Sequence, residues 1–461
     1  MKKDLRKFLV EPGFTLRQVI QKIDQNGQGV ALVAGDDQIL QGIVTDGDIR
    51  RAILAGVALD LPIMNIMNSS FTAVPQLYKP EQIVALTSKR SYRHIPVIDP
   101  AGRAVDLLVT DEIQRLLQSP SSLFTPKVNF HKRILVVGGA GYIGSVLVRQ
   151  LLEKGYAVKV LDKLIFGAAS LQAVQTHPSF ILVEGDTGHL GTVITAIKDV
   201  DVVVHLAEIV GDPACALDPE KTQQMNYLST ALIASVCKHF QINRFIYASS
   251  CSVYGAGEDF PLLTEKSPVN PVSLYARMKI ESERALLNMA DGFFSPTILR
   301  LATVFGVSPR MRFDLVVNTL TMKAVRDHQI TLFGGEQWRP NVHVSDVARA
   351  VILVLEAPLA QVGGEVFNVG SNENNFTINQ IANLVKEVVP SASLVYQNKE
   401  VDLRNYRVDF IKIQHLLGFT AQVTLQQGIV ETAQAFSQGF FQDHADSVYY
   451  NDRWYGDQNR R

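Results

Sequence analysis

The chain has 461 residues, 47% hydrophobic and 19% charged, a composition that excludes an intrinsically disordered protein and a length that exceeds one ordinary domain. Lys and Arg total 44 against 45 Asp and Glu, a net charge of −1, so no basic excess points to nucleic acid or to an anionic membrane surface. The longest apolar runs, such as Val202 to Leu206, fall far short of the roughly 18–20 residues of a membrane span. The charged opening Met1-Lys-Lys-Asp4 leads into no signal-type apolar block, so a cytoplasmic protein is expected. Cys215, Cys237 and Cys251 are too few for a disulfide framework and lack metal-ligand spacing, so they read as reduced and structural, with no metal expected.

In chain order, the first feature is an internal repeat within residues 1–120. Val30-Ala-Leu-Val-Ala-Gly-Asp followed by Gly42-Ile-Val-Thr45 corresponds to Ile95-Pro-Val-Ile-Asp followed by Asp106-Leu-Leu-Val-Thr110, at an offset of 65 residues (Thr45 to Thr110). Each unit reads as an apolar strand, a Gly-containing turn, a second strand ending in Thr and then a helix, Ile49 to Leu54 or Ile113 to Leu117. The repeat resembles a tandem CBS-domain pair, an α+β module, and Gly42-Ile-Val-Thr-Asp-Gly-Asp-Ile-Arg-Arg-Ala is close to the first-unit signature of that family. The resemblance implies that Thr45 and Asp48 hold an adenosine ribose, hydroxyl plus carboxylate matching a vicinal diol. In the second unit Ile113 stands where the acid should be, so one of the two potential nucleotide sites is lost. A module that only packs or dimerises is the alternative.

Ser119-Pro-Ser-Ser-Leu-Phe-Thr-Pro126 marks a linker, placed at residues 121–130. The second domain spans 131–445 and is followed by a C-terminal tail, 446–461. It opens with Arg133-Ile-Leu-Val-Val-Gly138-Gly-Ala-Gly141-Tyr142-Ile143-Gly144-Ser, a short buried-type strand running through a glycine turn into an amphipathic helix that ends near Lys154-Gly155. Glycines there allow a tight turn and let backbone N–H groups approach a pyrophosphate at a helix N-terminus. The next strand, Ala157 to Leu161, ends in Asp162, eighteen residues after Gly144 and placed to accept both ribose hydroxyls, which favours NAD over NADP; Lys163 weakens that preference slightly. Further apolar strands follow at Phe180 to Glu184, Asp201 to Leu206, Arg244 to Ser249 and Ser295 to Arg300. Such runs suit a parallel sheet covered on both faces, a Rossmann-type doubly wound α/β fold.

Tyr275-Ala-Arg-Met-Lys279 puts a phenol and an ammonium one helical turn apart on the same face. A free phenol is a poor base at neutral pH unless a cation stabilises its anion, and Lys279 with an oxidised nicotinamide supplies that. A hydroxyl from the loop Ser249-Ser250-Cys251-Ser252 can hold the substrate oxygen and relay its proton.

This constellation resembles the extended short-chain dehydrogenase/reductase family, specifically its NAD-dependent nucleotide-sugar epimerases, dehydratases and reductases. The resemblance implies a catalytic Ser250, Tyr275 and Lys279, and a smaller C-terminal substrate-binding region. It implies cofactor contacts from Asp186, Thr187, Leu206 and Ala207 beside the glycine loop, with Glu208 a departure where a second Ala is usual. Arg339 in Arg339-Pro-Asn-Val-His343-Val-Ser-Asp346 matches the arginine that contacts the substrate diphosphate, a role suited to its two-oxygen fork, while His343 and Asp346 read as structural. Thr303, Arg312 and Asn318 fall in the substrate-loop region, and Arg404 is a further phosphate candidate. The expected substrate is a nucleotide-diphosphate sugar oxidised at C4, as in 4-epimerases and C4 dehydrogenases or ketoreductases of cell-surface glycan biosynthesis. A 4,6-dehydratase needs an Asp-Glu pair after the catalytic hydroxyl, where this chain has Cys251 and Ser252. Adenine-nucleotide regulation through the N-terminal module and a homodimer or tetramer are further expectations; a non-catalytic nucleotide sensor is the alternative, disfavoured by the presence of both Tyr and Lys.

Overall fold

The periodicities resolve into two units, Met1–His131 and Lys132–Arg461, in a computed structural model that describes residues 4–35, 37–78, 83, 86, 93–109, 133–255, 262–397, 404–441 and 443–458. The repeat of the first unit is visible strand by strand. β1 (Leu9–Val10) runs parallel to β2 (Val30–Ala34), which pairs antiparallel with β3 (Leu40–Thr45). β4 (Val74–Pro75), β5 (His94–Ile98) and β6 (Ala104–Val109) repeat that order and those directions. Both hairpins even shift register at the same step, Val33/Ala34 and Val97/Ile98. Helix α1 (Leu16–Asn26) starts at a Thr15/Gln18 capping box and stops at Gly27, whose φ of 62° suits a left-handed cap. It buries Leu16, Val19 and Ile23 against β2 and β3.

Helix α2 (Asp46–Leu54) begins three residues earlier than its apolar pattern indicates, because Thr45 and Asp48 form a capping box. The Asp48 Oδ2 accepts from the Thr45 amide at 2.8 Å and the Thr45 hydroxyl at 2.7 Å, while Oδ1 meets Arg51 at 2.5 Å. Thr110, Ile113, the linker and the helix expected over 113–117 lie outside the described residues.

In the second unit β7 (Arg133–Val137), β8 (Ala157–Asp162), β9 (Phe180–Glu184), β10 (Val202–His205), β11 (Arg244–Ser250), β12 (Ser295–Leu301) and β16 (Val366–Val369) form one seven-stranded parallel sheet in the order β16-β12-β11-β10-β7-β8-β9. Strand order therefore reverses between β7 and β10, the place where a doubly wound sheet opens a crevice at the strand ends. Apolar side chains from alternate positions, Ile134 and Val136 against Leu135 and Val137, enter separate cores on the two faces. Helices α3 (Tyr142–Glu153), α4 (Leu190–Ile197), α6 (Ser229–His239), α7 (Leu274–Asn288) and α9 (Val344–Glu356) accompany this sheet, and a short helix, α5 (Asp212–Leu217), follows the β10 loop.

The smaller region gathers β13 (Thr303–Phe305), β15 (Trp338–His343) and β17 (Asn375–Thr377) in one sheet and pairs β14 (Gln329–Phe333) with β18 (Ser393–Gln397). Its own core joins Val317 and Leu320 of α8 (Val316–Asp327), Ile381 of α10 (Ile378–Val388) and Ile429 of α11 (Leu425–Ser437). Residues expected as a tail carry helix α12 (Asn451–Gln458), which buries Asn451 and Tyr455 and packs against α5. Its sequence is polar and its anchors are single side chains, which no periodicity reveals. No helix of the described residues is long and apolar enough to cross a membrane.

Candidate active site

The crevice between β7 and β10 continues into a cavity of about 1210 Å³, larger than the roughly 300–1,000 Å³ of a typical single-ligand pocket. The glycine turn shapes one end. Gly138 has φ +86°, and a Cβ there would stand 2.7 Å from the Ala207 amide nitrogen; a Cβ on Gly144 would stand 2.1 Å from the Gly138 carbonyl oxygen. Only glycine lets this turn close onto both the β10 loop and helix α3. Gly141 caps α3 without a side chain, so the first-turn N–H groups of Tyr142, Ile143 and Gly144 edge the cavity.

Asp162 ends β8 with its carboxylate aimed by two backbone donors, Ala140 at 2.9 Å and Leu164 at 2.8 Å. Burial raises its pKa while those donors pull it back. Lys163 lines the cavity and pairs with Asp186 at 2.7 Å, while Asp186, expected as a cofactor contact, is not itself among the lining residues. The Thr187 hydroxyl is buried in the wall with no hydrogen-bond partner among the described residues, and Leu206 and Ala207 line the opposite side. An orphaned hydroxyl, a cradle that a Cβ would fill and a carboxylate at a strand end fit a dinucleotide: Gly138 to Gly144 for its pyrophosphate and Asp162 for its ribose.

Ser250, Tyr275 and Lys279 line the same cavity, Ser250 from the end of β11 and the other two from one face of α7. Lys279 Nζ lies 5.5 Å from the Tyr275 ring centre and donates to the Ala248 carbonyl at 2.5 Å. Burial pushes the Tyr275 phenol well up, and Glu208 adds to the rise. Behind the serine loop, Ser249 donates to Glu283 at 2.5 Å and Glu283 pairs with Arg300 at 2.7 Å, fixing β11 against α7. The Ser252 hydroxyl, buried in the cavity wall, has no partner among the described residues; sequence reading passed it over as the residue after Cys251.

At the far end Arg339 and Arg404, 65 positions apart in sequence, meet through a hydrogen bond from the Arg339 guanidinium to the Arg404 carbonyl. Arg404 also pairs with Asp212 at 2.8 Å, a partner that sequence reasoning did not identify. Thr303 and Arg312 line the wall, Arg312 pairing with Asp314 at 2.8 Å. Asn318 does not reach the cavity. It is fully buried, its carbonyl accepting from Gly306 N at 3.0 Å and its amide donating to the Tyr142 hydroxyl at 3.1 Å and the Arg312 carbonyl at 3.0 Å, so it buttresses the substrate loop instead of contacting a ligand. The Tyr142 hydroxyl likewise turns away, donating to the Gly306 carbonyl at 2.6 Å. His343 caps α9 and Asp346 accepts from the Gln422 and Val423 amides, structural roles for both. Asn451 of α12 joins the site by accepting from Arg310 at 2.6 Å and donating to the Val210 carbonyl at 3.0 Å.

Among known proteins, residues 134–370 match the NAD dependent epimerase/dehydratase family and residues 1–55 match the CBS domain. UDP-glucuronic acid decarboxylase 2 of Arabidopsis thaliana is 30% identical over 322 residues, 68% of this chain and 69% of that protein. A putative UDP-glucose 4-epimerase of Methanocaldococcus jannaschii is 29% identical over 64% of this chain and 95% of its own length. Among solved structures, the UDP-glucuronic acid 4-epimerase of Bacillus cereus in complex with UDP-glucuronic acid and NAD superposes with a TM-score of 0.61 at 27% identity, covering 66% of this chain and 99% of that one. With the Rossmann crevice, the Ser250/Tyr275/Lys279 grouping and these matches together, the chain belongs to the NAD dependent epimerase/dehydratase family, is an NAD-dependent enzyme, and carries a CBS domain at its N-terminus.

Proposed function

We propose that the protein is an NAD-dependent nucleotide-sugar 4-epimerase acting on a UDP-sugar. The observation that carries this reading is the convergence of Ser250, Tyr275 and Lys279 in one cavity with the glycine turn and Asp162 at one end and Arg339 and Arg404 at the other. The cavity has room for a dinucleotide beside a nucleotide sugar. Arg310 supports an anionic ligand: burial and the neighbouring Arg312 push its pKa down to about 9, a strain that a diphosphate relieves. The relatives named above act on UDP-sugars, which supports UDP as the nucleotide.

In this reading bound NAD supplies a hydride acceptor and, once reduced, a donor. Ser250 holds the C4 oxygen, Tyr275 takes the hydroxyl proton as the C4 hydrogen leaves, and the same phenol returns the proton after the keto sugar has turned its other face. Dehydration lacks its acids: the Cys251 thiol is buried, bonded to the Arg300 carbonyl at 3.3 Å and pushed far up by that burial, and Ser252 is a hydroxyl. Incubation with NAD and UDP-, GDP-, dTDP- and CDP-sugars, following both the NADH band and C4 configuration, tests the proposal. Inversion at C4 without net NADH supports it; stoichiometric NADH without inversion makes the protein a C4 dehydrogenase, which the same three residues also serve.

The N-terminal module is proposed to bind an adenine nucleotide at Thr45 and Asp48 and to regulate this activity. Both groups stand together at the α2 N-terminus, and a ribose would share the Asp48 Oδ2 that already serves the capping box. Asp48→Ala removes the cap as well as the ligand group, so calorimetry with AMP, ADP and ATP should use Asp48→Asn beside it. Binding that survives both substitutions places the nucleotide elsewhere.

A further inference from the structure

Glu208 follows Leu206 and Ala207 in the loop after β10, and its carboxylate faces the catalytic pair. Oε2 lies 2.7 Å from Lys279 Nζ and Oε1 accepts from the Tyr247 hydroxyl at 2.5 Å, with the Lys279 and Glu208 side chains only 5% and 1% exposed. Each carboxyl oxygen thus confronts a donor, and Lys279 and Tyr247 pull the Glu208 pKa down against burial, the larger effect, which raises it. The loop is held on Glu208's far side by Asn226, which bonds both the amide and the carbonyl of Ile209 at 2.8 Å. Asn226 itself lies in a π-helical turn, Gln223–Leu228, ahead of α6. The placement of Glu208 is therefore built, not incidental to a mobile side chain.

Around Tyr275, Lys279 is on the same helix; Glu208, Asp212 and Cys215 face the phenol from the segment after β10, and Arg312 from the substrate loop. Tyr247 of β11 also faces Tyr275, His205 of β10 stands near Lys279, and Tyr455 of α12 shares its apolar cluster. His205 is neutral at working pH, since burial pushes it down to about 3. Lys279 of α7 thus lies 5.5 Å from the Tyr275 ring centre, with the Glu208 carboxyl 2.7 Å from its ammonium.

We propose that Glu208 is a positioning residue that clamps and neutralises the Lys279 ammonium, keeping the Tyr275 phenol protonated in the resting enzyme so that the site waits as a proton donor for a keto sugar. The proposal rests on Tyr275 being the proton-transfer group of the function proposed above. Reduction of a C4 ketone then needs no prior change of protonation: a reduced nicotinamide would supply the hydride to C4 and become oxidised, and the phenol would supply its proton to O4. Oxidation of the alcohol waits until the positive charge of the oxidised nicotinamide arrives to favour the phenolate.

The test is an ultraviolet titration of tyrosinate in the full-length protein, each Glu208 form read against the same form carrying Tyr275→Phe so that only this phenol is counted. Wild type is expected to keep Tyr275 protonated through pH 9. Glu208→Gln is expected to ionise it at least about one pH unit lower, a tenfold change in acidity, with the acid limb of the oxidation kcat profile moving the same way and NAD affinity changing less than twofold. Glu208→Asp should restore the wild-type midpoint, which a packing role alone does not require. An unchanged midpoint in Glu208→Gln overturns the proposal, as does tyrosinate in wild type at pH 7, a measurement that stands even where the variant fails to fold. Full turnover by Tyr275→Phe would instead remove the proposed function, and the titration would still report the effect of Glu208 on the phenol.

Discussion

Replacing Lys279 with Met tests the buried ion pair apart from the chemistry. The substitution keeps an unbranched side chain and removes the ammonium, leaving a carboxylate that is 1% exposed and faces only the Tyr247 hydroxyl at 2.5 Å. Breaking a buried pair from one side costs about 3–5 kcal/mol, because the surviving charge stays desolvated. At roughly 2 °C per kcal/mol for a domain of this size, the melting step of residues 132–461 should fall by about 6–10 °C. The pH dependence has a definite sign. Burial raises the Glu208 pKa above its ordinary value even with Lys279 in place, and loss of the cation raises it further. A group whose folded pKa lies above its unfolded value, about 4.3 for Glu, contributes stability that is fully present below the unfolded pKa and is lost as pH rises through the folded one. Lys279→Met should therefore lose least near pH 5 and most at pH 8. Lys279→Met combined with Glu208→Leu should recover most of the loss, since an apolar replacement of both partners is close to neutral. Melting followed by calorimetry at both pH values is the assay. Equal losses at the two pH values, or no recovery in the double variant, would refute the buried charge pair.

Tyr275→Phe is expected to reduce turnover by at least a thousandfold while NAD still binds, because the ring stays and only the proton acceptor goes; turnover within tenfold of wild type takes Tyr275 out of the mechanism. Asp162→Ala should weaken NAD by about tenfold and erase its advantage over NADP, whereas equal losses for both cofactors argue against a ribose contact. Gly144→Ala forces the Gly138 carbonyl away from a Cβ 2.1 Å distant, and overpacking of about 1–3 kcal/mol predicts a roughly 5- to 150-fold loss of NAD affinity by titration calorimetry. Ending the chain at Ala445 removes the Asn451 bonds to Arg310 and the Val210 carbonyl and should raise the sugar-nucleotide KM about tenfold; an unchanged KM means that α12 serves stability alone.

How much of this was legible in the sequence depended on the range of the interaction. Gly138 to Gly144 and Asp162 could be read because strand, turn, helix and next strand occupy one contiguous βαβ stretch, and Tyr275 and Lys279 because helical spacing alone puts them on one face. Asn318 stands in the right segment, yet whether its amide points to ligand or to backbone is decided by Gly306 and Tyr142, residues brought beside it only by the fold. Arg404 was legible as a cation but not as the partner of Asp212, nearly 200 residues earlier. Glu208 stood out as a departure from pattern, but its partner followed from the sheet order: β10 lies beside β11, Tyr247 projects from β11, and Lys279 reaches Ala248 on the same strand. A parallel sheet delivers the loops after every strand to one end, so residues distant in sequence share a single buried space and must balance charge within it. In this chain that balance is struck between Glu208 of the β10 loop and Lys279 of α7, and under the proposal above the acidity of Tyr275 is a property of that loop as much as of the helix that carries the phenol.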